Sequence, residues 1–304
     1  MHSKSTSIVI PTLNAASCID SLLRKLVDQT YSLDEIIVVD SSSSDDTANI
    51  VHSFVQEYPQ VQFHVINRKN FDHGGTRNYT LRKWTSGEFV LFMTQDAVPV
   101  NTHYVENILK PFVDPKVGLA SGRQLPKADA RRFEQLVRNY NYPEKSFKRG
   151  KADLDRCGIK TFYASNVCSA YRREAYTSCG GFPKKCKTNE DMYMAAKMIF
   201  SDWLVAYEAD ACVYHSHNFT PKQQYERNRV VGRFLEEYKD VFMGASEIGE
   251  GKRLVAYVVD SLLHEGRLGE LCAFGIDCVA RFMGNRVGRK QTCRNKETIK
   301  HRDF

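Results

Sequence analysis

Three aspartates stand where a carboxylate could do chemistry. Asp40 directly follows the apolar run EIIVV, and Asp96 comes three residues after the apolar run FVLFM. Unbroken apolar runs of this length are typical of buried parallel strands, and ligands bind beyond the carboxyl ends of such strands. Asp191 stands in the segment NEDMYM, at the start of a predicted helix. Carboxylates placed in this way can hold a divalent cation, bind a sugar hydroxyl or take a proton from an attacking hydroxyl.

Each aspartate also has a structural alternative. Asp40 could cap the helix that follows it, and Asp191 could be an acid that the helix dipole favours. Asp96 has the strongest functional case, because an acid between FVLFM and AVP has apolar neighbours and needs a partner. The shared strand-end position of Asp40 and Asp96 favours a functional role over capping.

The elements that must position these acids alternate between strand and helix. The predicted strands are Ser7–Pro11, Glu35–Val39, Gln62–Ile66 and Phe89–Met93, and the predicted helices are Ala16–Gln29, Thr47–Glu57 and Asn78–Thr85. The Gly-bearing segment Phe71–Arg77 predicts a loop that leads into the third helix, and Gly74-Gly75 could supply the backbone freedom for a tight turn in it. This order predicts an α/β fold with a mostly parallel central sheet flanked by helices.

The second half of the sequence is less regular. The polar, basic segment Ala120–Tyr163 predicts one helix flanked by mobile loops. Later strands are predicted at Phe162–Tyr171, Trp203–Glu208 and Ala211–His215, and later helices at Thr188–Phe200 and Tyr225–Phe242. We predict one α/β domain over residues 1–243 and a helical, basic extension over residues 244–304.

The composition indicates the compartment of the protein and the kinds of partner that it could bind. The nine cysteines form no Cys-x-x-Cys pair, which argues against a structural zinc site and favours free thiols in the cytoplasm. No run of about 18 apolar residues predicts a membrane span, and the N-terminus has no apolar signal region. The net charge of +7 suits a phosphate-bearing substrate or an anionic membrane surface. Nucleic acid is not an expected partner, because no aromatic platform is interleaved with the basic residues.

Four segments, taken together, resemble glycosyltransferase family 2 in order and spacing: SIVIPTLNA, EIIVVDSSSSDDT, FVLFMTQDAVP and NEDMYMAAKM. Within that family, FDHGGTRN and TQDA are most similar to the bacterial rhamnosyltransferase branch. The resemblance implies a GT-A fold and an inverting, metal-dependent glycosyltransferase. The favoured reaction moves L-rhamnose from dTDP-rhamnose to a saccharide acceptor, expected to be lipid-linked, in cell-surface polysaccharide synthesis. A UDP-sugar donor is the close alternative.

The resemblance also implies a role for individual residues. Asp191 is the expected catalytic base with Glu190 in support, and Asp96 is the expected ligand of Mn²⁺ or Mg²⁺. His73 is a further supporting candidate. The residues expected to bind the nucleotide sugar are Pro11, Thr12, Asn14, Asp40, Arg77, Gln95 and Asp96.

The expected metal site departs from the family pattern. The Asp-x-Asp motif of the family is reduced here to Gln95-Asp96-Ala97, which leaves a single acid and a Gln95 amide that can reach a ribose hydroxyl. His215 or His217 could therefore complete the metal shell as a neutral imidazole. Alternation along a strand predicts that both histidines face the same way. Each of these histidines could instead be a hydrogen-bonded structural residue, and Arg77 an ordinary ion-pair partner.

Two further alternatives concern the whole chain and its tail. A nucleotidyltransferase also uses acids at strand ends, but the segment PTLNAAS after the first strand lacks the glycine and basic residues of such enzymes. The tail carries basic residues between apolar ones, which predicts an interfacial helix on the inner face of the plasma membrane. A dimerisation or docking helix is the alternative for the tail, and the sequence does not give the oligomeric state.

Overall fold

The computed structural model describes residues 4–242, 245 and 248–300. Nine strands form one sheet. In chain order they are β1 Thr6–Thr12, β2 Glu35–Asp40, β3 Val61–Val65, β4 Phe89–Met93, β5 Val98–Pro99, β6 Val117–Leu125, β7 Phe147–Arg149, β8 Cys168–Arg172 and β9 Leu204–Tyr214.

α-Helices pack on both faces of this sheet, and the last two helices pack on other helices. In chain order they are α1 Ile19–Val27, α2 Thr47–Glu57, α3 His73–Trp84, α4 Tyr104–Leu109, α5 Arg132–Asn141, α6 Leu154–Cys157, α7 Arg173–Ser178, α8 Glu190–Phe200, α9 Pro221–Glu237, α10 Ile248–His264 and α11 Leu268–Lys300. The α2 and β4 bounds are those that the sequence predicts.

The order of strands in the sheet is β3-β2-β1-β4-β8-β6-β9-β5. The remaining strand, β7, also pairs with β9. β3, β2, β1 and β4 are parallel neighbours, as the strand–helix alternation predicts. β8 runs antiparallel to both β4 and β6, whereas β9 is parallel to β6. The predicted α/β class is therefore confirmed, and the second half of the sheet is mixed.

Buried apolar layers on the two faces of the sheet hold the strand ends in place. Ile8 and Ile10 point into one layer, with the apolar face of α1, and Val9 points into the other. Strand alternation produces this division, because successive side chains leave a strand on opposite faces. Because the sheet is buried on both faces, its strands are apolar throughout. The polar residues collect at the ends of the strands.

Two local predictions are wrong. The expected tight turn at Gly74-Gly75 is the first turn of α3, since that helix begins at His73. Gly74 is needed for close packing there, because a Cβ would lie 2.7 Å from the Pro183 carbonyl oxygen and 2.9 Å from the Cys186 Cβ. The strands predicted at Trp203–Glu208 and Ala211–His215 are one strand, β9, with a register irregularity at its centre.

The segment Ala120–Tyr163 is more regular than predicted. Its first residues continue β6, the expected helix is α5, and β7 follows before three short helical segments. The helix predicted at Tyr225–Phe242 begins earlier, at Pro221, because Thr220 and Gln223 form a capping box. Thr220 accepts from the Gln223 amide while Gln223 accepts from the Thr220 amide.

The C-terminal helices pack onto the α/β body. α10 and α11 share a small apolar cluster with Phe133 and Leu136 of α5. α11 lies against α9, and the contact depends on glycine: a Cβ at Gly284 would overlap the Tyr225 carbonyl oxygen, and one at Gly288 would overlap the Arg229 carbonyl oxygen. Close helix approach of this kind requires small residues.

The predicted boundary at residues 243 and 244, and the basic residue at 302, lie outside the described residues. Of the apolar tail residues, Phe274 is buried, whereas Leu268, Ile276, Val279, Phe282 and Met283 are exposed. Among the helices of the described ranges, none is both long and apolar enough to cross a membrane.

Candidate active site

A group of three possible metal ligands gathers at the carboxyl ends of β4 and β9. The Asp96 Oδ2 atom lies 3.2 Å from His217 Nε2 and 3.5 Å from His215 Nε2. The two Nε2 atoms are 3.1 Å apart, and the ligand atoms of all three residues lie within 4.8 Å of one another. The predicted common orientation of the two histidines is therefore present, although both residues lie just beyond the end of β9.

The hydrogen bonds behind His215 fix its tautomer. Its Nδ1 lies 3.0 Å from Gln124 Oε1. The same oxygen accepts from Arg138 Nη1, and the Gln124 amide nitrogen donates to Ser165 Oγ at 2.9 Å. Since Oε1 can only accept, His215 Nδ1 carries the proton and its Nε2 lone pair faces Asp96. A ligand histidine is held in this way in protein metal sites.

The electrostatics of this group also fit a bound cation. Burial lowers the pKa of His215, and burial together with the charge of His215 lowers the pKa of His217 to about 4. Burial would raise the pKa of Asp96, but protonation of the adjacent His215 would favour the carboxylate, and this effect outweighs burial, so the pKa of Asp96 falls. At neutral pH the site holds one carboxylate and two neutral imidazoles, which is a donor set suited to a divalent transition metal such as Mn²⁺.

Asp191 lies in the first turn of α8, half-buried at the same pocket. Its two oxygens accept from the backbone amide of Asn166 at 2.9 Å and from the backbone amide of Met192 at 2.8 Å. Burial and the neighbouring charge of Glu190 raise the pKa of Asp191 to about 7. A carboxyl group with such a pKa can take a proton near neutral pH.

Glu190 lies beside Asp191 in a different environment. Its Oε1 accepts from Arg77 Nη1 at 2.8 Å and from the side-chain Nδ2 of Asn166 at 3.0 Å, and both ends of the ion pair are buried. Burial opposes the charge of Glu190, but Arg77 and the hydrogen bond lower its pKa. His73 Nδ1 lies 3.1 Å from the same Arg77 nitrogen. Arg77 thus reaches the pocket wall as part of a buried ion pair.

The other predicted residues surround the end of β2. Asp40 accepts from Thr12 Oγ1 at 3.0 Å and from the Ser43 amide at 2.7 Å. The capping alternative for Asp40 is wrong, since Asp46 is the N-terminal cap residue of α2. Asn14 has a left-handed backbone, with φ of 49°, and accepts from the Ser44 amide at 2.9 Å. These bonds join the loops after β1 and β2. We call the surface formed by Pro11, Thr12, Asn14 and Asp40 the ledge.

Gln95 connects this ledge to Asp96. Its Oε1 accepts from the Leu13 amide at 2.8 Å, and its Nε2 donates to the Leu13 carbonyl oxygen at 3.2 Å. The Gln95 amide is therefore engaged by the backbone of the loop after β1. Its expected contact with a ribose hydroxyl stays a prediction.

One pocket, of about 580 Å³, brings most of the predicted residues together. Its wall includes His73, Arg77, Asp96, Glu190, Asp191, His215 and His217. It does not include the ledge residues Pro11, Thr12, Asn14 and Asp40, or Gln95, which connects the ledge to Asp96. Sequence reasoning missed Gln124, Arg138 and Asn166, whose partners are distant in the chain and leave no local motif.

Residues 7–180 match the family model described as glycosyl transferase family 2. The chain belongs to that family. It is 36% identical to the O-antigen chain rhamnosyltransferase RfbN of Salmonella typhimurium, over 93% of this chain and 89% of that protein. It is 37% identical to the O-antigen chain rhamnosyltransferase WbaN of Salmonella anatum, over 94% of this chain and 89% of that protein. The predicted resemblance to the rhamnosyltransferase branch is thereby confirmed.

Solved structures of other glycosyltransferases share the fold of this family 2 enzyme. A mannosyltransferase from Pyrobaculum calidifontis, solved with GDP-Man and Mn²⁺, matches 97% of this chain and 89% of its own, with a TM-score of 0.64 and 16% identity. S. aureus TarS residues 1–349, solved with UDP-GlcNAc, matches 96% of this chain and 92% of its own, with a TM-score of 0.54 and 16% identity. The predicted GT-A fold and glycosyltransferase class are confirmed, and the nucleotidyltransferase alternative is set aside.

Proposed function

We propose that this glycosyltransferase moves L-rhamnose from dTDP-rhamnose to a saccharide acceptor with inversion at the anomeric carbon, in cell-surface polysaccharide synthesis. Two relatives named as O-antigen chain rhamnosyltransferases support the donor, because their similarity extends over nearly the whole chain. The observation that carries the mechanism is the common pocket of Asp191 and the Asp96–His215–His217 group.

The donor would lie across the ledge and the mouth of the pocket. Asp40 and Thr12 are positioned to meet the nucleobase, with Pro11 and Asn14 framing the same loop. Asp96, His215 and His217 would hold Mn²⁺ or Mg²⁺, and nitrogen ligands favour Mn²⁺. When bound, the metal neutralises the negative charge of the departing diphosphate.

Asp191 is the proposed base. The amides of Asn166 and Met192 hold its carboxylate in one orientation, and burial keeps its pKa near neutrality. The acceptor hydroxyl gives its proton to Asp191 while its oxygen forms the new bond to the anomeric carbon. The bond from that carbon to the diphosphate oxygen breaks on the opposite face, and the departing group takes the bonding electron pair. A single displacement of this kind inverts the anomeric configuration.

In this proposal the positioning residues, which do not react themselves, are Glu190, Arg77 and His73. The buried Arg77–Glu190 ion pair holds the start of α8 against α3. The charge of Glu190 also raises the pKa of the neighbouring base, Asp191. Arg77 lines the pocket, so its remaining donors can meet the donor phosphates or sugar.

We propose a lipid-linked acceptor and a peripheral location on the inner face of the plasma membrane. An exposed stripe on α11 supports this proposal, because it continues from apolar into basic residues at helical spacing. It consists of Ile276, Val279, Met283, Arg286 and Lys290, and all five are exposed. Apolar insertion combined with basic contacts is typical of interfacial helices on anionic lipid. The division into a domain over residues 1–243 and an extension over residues 244–304 belongs to the same proposal.

The donor and metal are tested together. The purified protein is incubated with a saccharide acceptor and with dTDP-rhamnose, UDP-glucose or UDP-N-acetylglucosamine, in Mn²⁺, Mg²⁺ or EDTA. We expect transfer from dTDP-rhamnose that EDTA abolishes and Mn²⁺ restores. Faster transfer from a UDP-sugar would overturn the donor, and full activity in EDTA would overturn the metal.

The lipid surface is tested separately by co-sedimentation with vesicles that contain anionic lipid. The full-length chain and a variant with Val279 and Met283 both changed to serine are compared. We expect the variant to bind fewer vesicles. Equal binding by the two proteins would overturn the membrane proposal and leave the docking-helix alternative.

A further inference from the structure

Three arginines from three different helices meet at the same pocket. Arg138 belongs to α5, Arg227 to α9 and Arg281 to α11, and all three line the cavity that holds Asp191. Arg138 and Arg281 each have a carboxylate partner. Arg138 Nε donates to Glu134 at 2.9 Å, and Arg281 Nε donates to Asp277 at 2.5 Å.

Arg227 differs from the other two. In the described part of the chain its guanidinium has no carboxylate partner, and its Cζ atom lies over the Phe219 ring, 5.5 Å from the centroid. The residue stays accessible to solvent within the pocket. Enclosure by the pocket wall, followed by the charges of Arg281 and Arg138, lowers the pKa of Arg227. An unpaired cation beside two like charges costs free energy, and a bound anion would offset that cost.

The position of the arginines relative to the sheet separates them from the donor ledge. Asp40 and Thr12 lie at the ends of β2 and β1, and Asp96 follows the next strand, β4. The arginines lie on helices that follow β6 and β9, or pack on those helices, beyond Asp96. A donor that reaches from Asp40 to Asp96 has its diphosphate at Asp96 and an uncharged sugar beyond it.

We propose that Arg138, Arg227 and Arg281 form a second anion site that binds the diphosphate of a phosphate-bearing acceptor. The site rests on the proposed function, because it places the acceptor next to the base Asp191. Asp191, Tyr163 and Arg227 all line this one pocket, so the base and the arginine face the same cavity. Guanidinium groups suit this ligand, since each can give two parallel hydrogen bonds to a phosphate.

The site also gives the C-terminal extension a part in substrate binding. Arg281 reaches the pocket only because α11 lies in close contact with α9, through Gly284 and Gly288.

Arg227→Gln is the decisive variant, because no carboxylate of the described residues loses its partner. Two acceptors are compared: a saccharide on a short alkyl diphosphate, and the same saccharide on an uncharged alkyl group. We expect Arg227→Gln to raise KM for the diphosphate acceptor by about tenfold or more, which is the loss of one charge-assisted hydrogen bond. KM for dTDP-rhamnose and for the uncharged acceptor is expected to stay within about twofold of the wild type.

Two control variants make the result specific. Arg227→Lys keeps the charge and is expected to recover part of the affinity. Lys222→Gln removes a charge from an exposed position on the same helix, outside the pocket, and is expected to change no KM. A raised KM for the donor, or an equal rise for both acceptors, would overturn the acceptor site.

A binding measurement keeps the site testable if the proposed donor is wrong. Titration calorimetry in EDTA, without any donor, measures the affinity for the alkyl diphosphate saccharide directly. We expect the wild type to bind it more tightly than the uncharged saccharide, and Arg227→Gln to lose that preference. Failure of transfer with intact binding would count against the proposed donor, whereas equal binding of both saccharides would count against the anion site.

Discussion

Replacing Asp191 with asparagine is expected to lower activity and raise stability in the same protein. Loss of a general base slows transfer by roughly 10²- to 10⁴-fold, while donor affinity is retained because the ledge around Asp40 is untouched. The stability gain follows from the environment of Asp191. Burial and the charge of Glu190 raise its pKa from 3.8 to about 7, so a charged carboxylate there opposes folding.

The size of the gain can be worked out from two opposing effects. A rise of the pKa from 3.8 to about 7 corresponds to ~4 kcal/mol at high pH, as an upper bound. An amide has only one acceptor oxygen, so either the Asn166 or the Met192 amide loses its partner, at a cost of ~1–3 kcal/mol. We therefore expect a net gain of ~1–3 kcal/mol in the free energy of unfolding at pH 8.

The stability of the wild type is expected to depend on pH in one direction. The folded wild type binds the Asp191 proton more tightly than the unfolded chain does, so its stability falls as pH rises from about 4 to about 7. Asparagine removes that slope. The variant should be the more stable protein at pH 8 and lose its advantage near pH 4, and wild-type transfer should rise with pH through about 7.

Urea denaturation at pH 4.5, 6 and 8, together with transfer rates at the same pH values, measures both effects. Asp155→Asn is the matched control, since Asp155 is exposed and outside the pocket. A loss of stability in Asp191→Asn at pH 8 would refute the electrostatic reasoning. Near-wild-type transfer by the same variant would remove Asp191 as the base.

Three further predictions concern the metal group, the buried ion pair and the helix contact. His217→Ala should weaken Mn²⁺ binding by about tenfold or more, measured by thermal shift against added Mn²⁺; an unchanged midpoint would exclude His217 as a ligand. Arg77→Met should cost ~3–5 kcal/mol in urea denaturation, because Glu190 is left buried and unpaired; a cost below ~1 kcal/mol would contradict this. Gly284→Ala should destabilise the α11 contact by ~1–3 kcal/mol, whereas Gly275→Ala, with open space around it, should stabilise by ~0.5–1 kcal/mol.

The sequence predicts those elements whose cause is local. Thr47–Glu57 and Phe89–Met93 have the predicted bounds because helical spacing and an unbroken apolar run each decide the structure of their own segment. The start of α3 was missed because two glycines are poor helix formers. Packing of Gly74 against Pro183 and Cys186, which are more than a hundred residues later, outweighs that preference.

Some residues of the candidate site could likewise be predicted from the sequence, and others could not. Asp40 and Asp96 could be predicted because strand ends are visible in the sequence and strand ends meet at one edge of the sheet. Gln124, which sets the tautomer of His215, could not be predicted, because it lies on a strand 91 residues earlier and carries no motif. Arg227 could not be predicted as a binding residue, because the sequence shows only an amphipathic helix there and the charges around it come from α5 and α11.

Glu190 and Asp191 show why a dipeptide does not determine its own chemistry. Both are acids in the first turn of α8, and the helix dipole acts on both in the same direction. Glu190 turns toward Arg77 and is held ionised, with a lowered pKa. Asp191 receives two amide hydrogen bonds and, among the described residues, forms no ion pair, and its neighbour's charge adds to the cost of burial. One residue therefore supplies a fixed negative charge and the other a group that exchanges a proton near pH 7, and the difference comes from Arg77, 113 residues earlier in the chain.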